Sequence, residues 1–140
     1  MHDEFNLERF LLAQEGVFDI ALSEIAEGTK RSHWMWFIFP QLAGLGHSAM
    51  AVRYAVRSKA EARAYLGHSI LGQRYRGCVA ALQDLTDSTA QAVFGSLDAM
   101  KLQSSLTLFG EISDESLIQD ALDRWFGAKD LATLRLLTGE

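Results

Sequence analysis

The chain has 140 residues, of which 49% are hydrophobic and 22% are charged, with a formal net charge of -5 at pH 7 and a single cysteine. This composition excludes an intrinsically disordered protein, which needs low hydrophobicity and a high net charge. The single cysteine excludes an internal disulfide and a multi-cysteine metal site. No stretch approaches the roughly 18 uncharged apolar residues of a membrane-spanning helix, and the acidic start MHDEFNLERF is unlike a signal peptide. We therefore expect one domain over residues 1–140, in the cytoplasm and with no membrane partner.

Charge is unevenly distributed along the chain. Residues 1–29 contain seven acids and one base, residues 30–76 eight bases and one acid, and residues 77–140 ten acids and four bases. In one interpretation these acidic and basic faces pair on folding. In the other, the basic middle forms a local anion site on an acidic protein. Nucleic acid is not an expected partner, because the acidic flanks would repel a long phosphate backbone.

Apolar residues follow helical spacing from the N-terminus onward. Asn6 is predicted to cap a first helix that carries Phe10. A second helix is predicted over 18–25, and Gly28 is expected to end it. Residues 34–39, WMWFIF, are all large and apolar, and they match neither the helical period nor the alternation of a strand. They therefore predict a buried helical turn or a short strand that ends before Pro40.

The remaining predicted elements are also helices. Ser58 with Glu61 and Ser88 with Gln91 are capping boxes, which predict two helix starts. The second of these helices is short and is expected to end at Gly95. Further helices are predicted over 50–54, 71–85, 98–110, 114–126 with Asp114 as its cap, and 130–137. No segment alternates like a strand between hairpin turns, so the predicted fold is all-α, a compact single domain of about seven or eight short helices.

Lys30, Arg31 and His33 come directly before the tryptophans Trp34 and Trp36. We expect at least one of the two indoles to be largely buried. In one interpretation the segment is a core element with a solvated basic start. In the other, the buried tryptophans fix the three basic residues at the rim of a pocket, where His33 could move a proton because its unperturbed pKa lies near neutrality.

Two later segments are weaker candidates. In Gly44–Ser48, Ser48 is predicted to cap a helix whose free N–H groups could bind an anion, although the spacing matches no known phosphate-binding motif. Asp98, Lys101 and Ser105 share a helix face, either as an exposed ion pair of little energetic weight or as part of a site. The hydroxyls of Ser104, Ser105 and Thr107 either bond back to helix carbonyls or face a polar cavity. Cys78 is predicted to be an inert core thiol.

Three blocks of the sequence carry a resemblance to a known family: GTKRSHWMWFIFPQLAGLGHS, YAVRSKAEARAYLGHSILGQR and VFGSLDAMKLQSSLTLF. They resemble the domain of unknown function 1810 over nearly the whole chain. The resemblance implies a single all-helical domain and no established activity. The chain departs from the family pattern at His68-Ser69, where members of the family typically have His-Pro. The motif positions that match are Lys30, His33, Trp34, Trp36, Pro40, Gln41, Gly46, Ser48, Tyr54, Asp98, Lys101, Ser104, Ser105 and Thr107.

Two further likenesses concern function. Some members of the family carry the label calpastatin, a disordered and aromatic-poor protease inhibitor, whereas 10% of this chain is aromatic. A weaker likeness, by analogy of a basic and aromatic pocket in a small helical domain, is to N-glycosidases that act on ADP-ribose-type compounds.

From these residues we expect a protein that binds a phosphorylated, nucleotide-like small molecule in a basic and aromatic pocket, with hydrolysis as a further hypothesis. Lys30, Arg31 and Lys101 are expected to reach the surface and hold anionic groups, and Trp34 or Tyr54 to stack on a flat moiety. No metal and no cofactor is expected. The alternative is a protein-interaction or homodimerisation module without catalytic activity. The candidate residues are His33 and Asp98 for acid–base chemistry, and Lys30, Arg31, Trp34, Gln41, Gly46, Ser48, Tyr54, Lys101, Ser104 and Ser105 for ligand binding.

Overall fold

The computed structural model describes residues 3–139 of the chain. Within that range the fold is all-α, as predicted, and its one extended contact is the parallel bridge between Leu42 and Val56. None of the helices over these residues is long and apolar enough to cross a membrane. The nine helices of residues 3–139 are α1 (Glu8–Gln14), α2 (Phe18–Glu27), α3 (Met35–Ile38), α4 (Ala49–Arg53), α5 (Lys59–Gly67), α6 (Leu71–Gln83), α7 (Ala90–Glu111), α8 (Ser116–Trp125) and α9 (Leu131–Thr138).

The start of α1 differs from the prediction. Asn6 does not cap the helix; its φ is 52°, in the left-handed region that asparagine tolerates better than most residues. The Asp3 carboxylate instead accepts hydrogen bonds from the backbone N–H groups of Leu7 at 2.8 Å and Glu8 at 3.0 Å. The prediction was wrong because an acceptor farther back along the chain reaches the free N–H groups of the first turn.

Other helix ends are confirmed or shifted by one residue. Gly28 ends α2 with a φ of 79°, and Ser58 accepts a hydrogen bond from the N–H of Glu61. The predicted caps of α7 and α8 are each one residue early. Thr89, not Ser88, accepts from the N–H of Ala92, and the residue before α8 is Glu115, not Asp114.

Aromatic side chains form the centre of the hydrophobic core. Tyr75 of α6 lies 4.5 Å from Phe109 and 5.6 Å from Phe39, measured between ring centroids. Trp34 is 0% exposed and packs edge-on against Phe94, which confirms that at least one of the two tryptophans is buried. The apolar run before Pro40 takes the helical alternative, as the single turn α3.

The long helix α7 contains a break at Gly95, where the sequence predicts the end of one helix and the start of another soon after. Gly95 has φ 80° and ψ 164°, which is not a helical conformation. The helix α7 packs against α3, α5, α8 and α9. The break therefore lies in the helix that connects most of the fold.

We expect Gly95→Ala to lower the free energy of unfolding by about 1–3 kcal/mol, because this backbone conformation is accessible almost only to glycine. No atom lies within 4 Å of an added Cβ, so the cost comes from the backbone alone. Urea denaturation followed by circular dichroism measures the difference.

Gly77, within α6, is the matched control for this substitution. An added Cβ there also meets nothing within 4 Å, and the backbone is helical. Gly77→Ala should therefore raise the free energy of unfolding by about 0.5–1 kcal/mol. Changes of the same sign at Gly77 and Gly95 would contradict this assignment of the break.

Candidate functional site

Two lysines converge on one carboxylate between α2 and α7. Lys30, in the loop after α2, places its Nζ 2.8 Å from Asp98 Oδ2. Lys101, one helical turn beyond Asp98 in α7, places its Nζ 3.2 Å from Oδ1. Sequence analysis selected all three residues, and the structure brings them together across almost seventy positions of chain.

Each lysine also lies over the ring of a tryptophan. The Nζ atom of Lys30 is 5.0 Å from the ring centroid of Trp34, and that of Lys101 is 5.0 Å from the ring centroid of Trp36. Both distances are within the range of cation–π attraction. We call these five residues, Lys30, Trp34, Trp36, Asp98 and Lys101, the dilysine cluster.

The dilysine cluster carries a net positive charge. Burial alone would raise the pKa of Asp98, but the hydrogen bonds and charges of Lys30 and Lys101 outweigh burial and lower it. Asp98 is therefore ionised at neutral pH, and two ammonium groups face one carboxylate. An ionised carboxylate does not donate a proton, so this geometry suits Asp98 to orienting the lysines.

The two lysines differ in their access to solvent. The side chain of Lys30 is 8% exposed and also donates a hydrogen bond to the carbonyl of Ser32, so the expectation that it reaches the surface was wrong. The side chain of Lys101 is 27% exposed. Arg31 is exposed and pairs loosely with Glu27, at 3.4 Å. Lys101 is thus the lysine of the cluster that a ligand could reach.

A buried glutamate that sequence analysis missed holds the loop in place. Glu24 of α2 accepts hydrogen bonds from the N–H of Arg31 at 2.9 Å, the N–H of Ser32 at 3.0 Å, the hydroxyl of Ser32 at 2.6 Å and Nε1 of Trp34 at 2.9 Å. Burial opposes ionisation, but these bonds together lower the pKa of Glu24 to about 2. The only signal in the sequence is an acid beside Ile25, at the edge of the apolar stripe of α2.

The hydroxyl groups of the third candidate segment bond within the protein. Ser104 donates to the carbonyl of Met100 and to Asp130, the cap of α9. Ser105 shares a hydrogen bond of 3.0 Å with the Tyr75 hydroxyl in the core. Thr107 donates to the carbonyl of Gln103 and accepts from the N–H of Asp130. The bonds of Ser104 and Thr107 attach α9 to α7 and follow the first of the two interpretations, bonding back to helix carbonyls. Ser105 follows neither interpretation, since its partner is a hydroxyl of α6.

The other residues selected from the sequence form contacts that are separate from the dilysine cluster. Ser48 caps α4 by accepting from the N–H of Ala51, and a Cβ on Gly46 would lie only 2.6 Å from the Cβ of Ala51. Tyr54 is buried against Phe10 and Phe37, and the Gln41 carbonyl accepts from the N–H of Val56. Among residues 3–139, no hydrogen bond or ring contact links these four to the dilysine cluster.

His33 lies in the same loop as Lys30, and its side chain is exposed. In the described part of the chain, no hydrogen bond orients its ring. Over the same residues, no group of three or more histidine, cysteine, aspartate or glutamate side chains is arranged to hold a metal ion. Burial raises the pKa of Cys78 to about 12, as expected of an inert thiol.

Comparison with known proteins gives one family and one solved structure. The family described as "Protein of unknown function (DUF1810)" matches residues 4–137. The crystal structure of the conserved hypothetical protein Rv1873 from Mycobacterium tuberculosis is 41% identical to this chain and superposes with a TM-score of 0.95. That match covers 97% of this chain and 99% of the other. No curated protein matches the chain.

Glu24→Gln should lower the free energy of unfolding by at least about 2 kcal/mol, because an amide cannot accept all the hydrogen bonds that the carboxylate accepts. Glu27→Gln, on the exposed side of the same helix, is the control and should change it by less than about 0.5 kcal/mol. Chemical denaturation measures both. Equal effects of the two substitutions would contradict the role of Glu24.

The same carboxylate gives the stability a pH dependence. Because the native pKa of Glu24 is about 2 and its ordinary value is 4.5, its contribution is complete above pH 4.5 and is lost as the pH falls from 4.5 toward 2. Asp98 and Glu115 have lowered pKa values and act in the same direction. The test is therefore the difference in acid sensitivity between the native chain and Glu24→Gln, which should be the less sensitive of the two.

Proposed function

The chain belongs to the DUF1810 family, whose function is unknown, and we propose that it binds a phosphorylated, nucleotide-like small molecule at the dilysine cluster. The observation that carries this proposal is the convergence of Lys30 and Lys101 on Asp98, which leaves a net positive charge on a protein of net charge -5. A local positive site of this kind attracts and orients anions.

Lys101 supplies the group for an anion. A lysine ammonium group has three N–H donors, and Lys101 donates one of them to Asp98. Within residues 3–139 no other hydrogen bond engages this ammonium group, so two donors remain for the oxygens of a phosphate. Lys30 donates to both Asp98 and Ser32, and therefore fixes the position of Asp98 more than it offers donors.

Trp36 supports the nucleotide-like part of the proposal. Its ring is half-buried beside Lys101, whereas Trp34 is fully buried and has no face open to a ligand. An accessible aromatic ring next to an ammonium group suits a ligand that combines a phosphate with a flat base, since bases stack on aromatic side chains. We therefore assign to Trp36 the stacking role that the sequence predicted for Trp34 or Tyr54.

Binding, and not hydrolysis, is the activity that this geometry favours. Asp98 is held ionised between two lysines, and within residues 3–139 no hydrogen bond holds the ring of His33 beside it. A general acid or base has to be held close to the reacting group. We therefore place Lys101 and Trp36 in contact with the ligand and Asp98 in an orienting role.

A thermal-shift panel of nucleotides and sugar phosphates tests this proposal. A ligand at 100 times its Kd stabilises the native state by about 2.7 kcal/mol, which for a chain of this size is a rise in Tm of about 5–10 °C. Lys101→Met should abolish the shift and leave the circular dichroism spectrum native. Lys129→Met removes the same charge from an ion pair with Glu111 elsewhere, and should keep the shift. A panel without a hit, or equal losses in both variants, would contradict the proposal.

The second candidate function, a homodimer interface, is favoured by a different observation on α7. Leu97 and Met100 are 76% and 65% exposed, and they flank Asp98 one helical turn apart. Large exposed apolar side chains at this spacing form a stripe of the kind that a second helix can cover.

Sedimentation at micromolar concentration tests this candidate. A homodimer predicts that the native chain sediments at twice the monomer mass and that Leu97→Glu with Met100→Glu sediments as a monomer. Leu12→Glu, at a leucine of α1 that is 61% exposed, is the control and should leave the dimer intact. A monomeric native chain would exclude this function.

A further inference from the structure

A second basic site shares no residue with the dilysine cluster, and the proposed function does not use it. A cleft of about 270 Å³ is lined by Phe5, Asn6, Arg9, Arg53, Arg57 and Glu61. Three arginines and one glutamate in a single cleft are an unusual concentration of charge, and they raise the question of which of these charges are already neutralised.

Arg9 and Glu61 neutralise each other in the floor of the cleft. The five N–H groups of the Arg9 guanidinium donate to the carbonyls of Phe5, Asn6, Arg53 and Ala55 and to Glu61 Oε2, at 2.7–2.9 Å. The other oxygen of Glu61 accepts a hydrogen bond from the backbone N–H of Arg57 at 3.2 Å. All five donors of Arg9 are therefore engaged within the protein, and its charge is balanced by that of Glu61.

The two remaining guanidinium groups have no acidic partner in the described part of the chain. Arg53 and Arg57 are exposed, and over residues 3–139 neither side chain forms an ion pair or hydrogen bond. The guanidinium group of Arg53 lies 5.5 Å from the ring centroid of Tyr54. The cleft therefore has a neutral floor and an excess of two positive charges at its rim.

The backbone of both arginines is held in place, which makes the site preorganised. Arg9 donates to the carbonyls at positions 53 and 55, and the bridge between Leu42 and Val56 fixes the residue next to Arg57. Only the side chains of Arg53 and Arg57 then need to become ordered on binding, which lowers the entropic cost of association.

We propose that Arg53 and Arg57 bind a phosphate dianion, presented either as free phosphate or as a small phosphate monoester. Guanidinium groups match the oxygens of a phosphate with paired N–H donors, and a charge of two on the rim balances a dianion. The volume of the cleft lies just below the range of roughly 300–1,000 Å³ for small-molecule sites, which suits a single phosphate group. An adjoining cleft that shares Arg9 and Arg53 also contains Glu8, whose charge disfavours the anion there.

Titration with inorganic phosphate, followed by the backbone amide and arginine Nε–Hε signals in two-dimensional NMR at constant ionic strength, tests this site, and the amide signals report the affinity of the arginine variants. We expect saturable shifts at Arg53 and Arg57. The double variant Arg53→Gln with Arg57→Gln should bind phosphate at least about tenfold more weakly, since hydrogen bonds between charged groups are lost. The matched control, Arg63→Gln with Arg135→Gln, removes the same charge from exposed residues outside the cleft and should keep the affinity.

Two further arms complete the experiment. Arg53→Lys with Arg57→Lys keeps the charge and removes the paired donors, so it should also weaken binding, and it decides the question if the glutamine variant does not fold. Titration with phenyl phosphate distinguishes the two forms in which the dianion can be presented. Binding at least as tight as that of inorganic phosphate indicates a monoester, and weaker binding indicates free phosphate.

The proposal is overturned if the native chain shows no saturable shifts at Arg53 and Arg57, or if the cleft and control variants lose affinity equally. Lys101→Met should leave these shifts unchanged, because Lys101 does not line this cleft. The outcome at the arginine cleft is therefore distinguishable from the outcome at the dilysine cluster.

Discussion

The loop between α2 and α3 depends on one buried carboxylate. The Glu24 carboxylate accepts hydrogen bonds from two backbone N–H groups, the Ser32 hydroxyl and the Trp34 indole N–H. Trp34 is fully buried, so only an acceptor inside the protein can satisfy its N–H group. A buried donor without an acceptor costs about 1–3 kcal/mol. An apolar residue at position 24 would therefore leave several such donors unsatisfied and would release the loop.

The dilysine cluster follows from that loop and from the break in α7. The backbone N–H of Lys30 donates to the carbonyl of Val93, ahead of the break, and its ammonium group meets Asp98 beyond it. Gly95 therefore lies between the two points at which one loop residue contacts the helix. A continuous helix through Gly95 would rotate Asp98 relative to Val93, and the two contacts of Lys30 could not both form. Backbone conformation at one glycine thus determines the geometry of the charged cluster.

The sequence predicts most of the helices and the main members of the cluster, because both depend on local patterns. Apolar spacing and capping residues determine the helices, and the concentration of aromatic and basic residues after Gly28 indicates Lys30 and Trp34. Glu24 and Arg9 were not predicted. Each acts through partners distant in the chain or in a loop, and a single acid or base within an amphipathic helix looks the same whether it is solvated or buried. Their roles become visible only when the tertiary structure brings their partners together.

The first interpretation of the uneven charge, pairing on folding, applies to some of the basic residues, and the second, a local anion site, stays a proposal. Within residues 3–139, the eight bases of residues 30–76 form three ion pairs with acids of the flanking segments: Lys30–Asp98, Arg31–Glu27 and Arg76–Glu115. The one acid of this segment, Glu61, is taken by Arg9 from the N-terminal helix. Glu61 is the acid that lines the cleft beside Arg53 and Arg57, and because Arg9 pairs with it, the charges of these two arginines are not neutralised there. A structural ion pair and a candidate anion site are therefore consequences of the same arrangement, and a substitution at Arg9 would alter both.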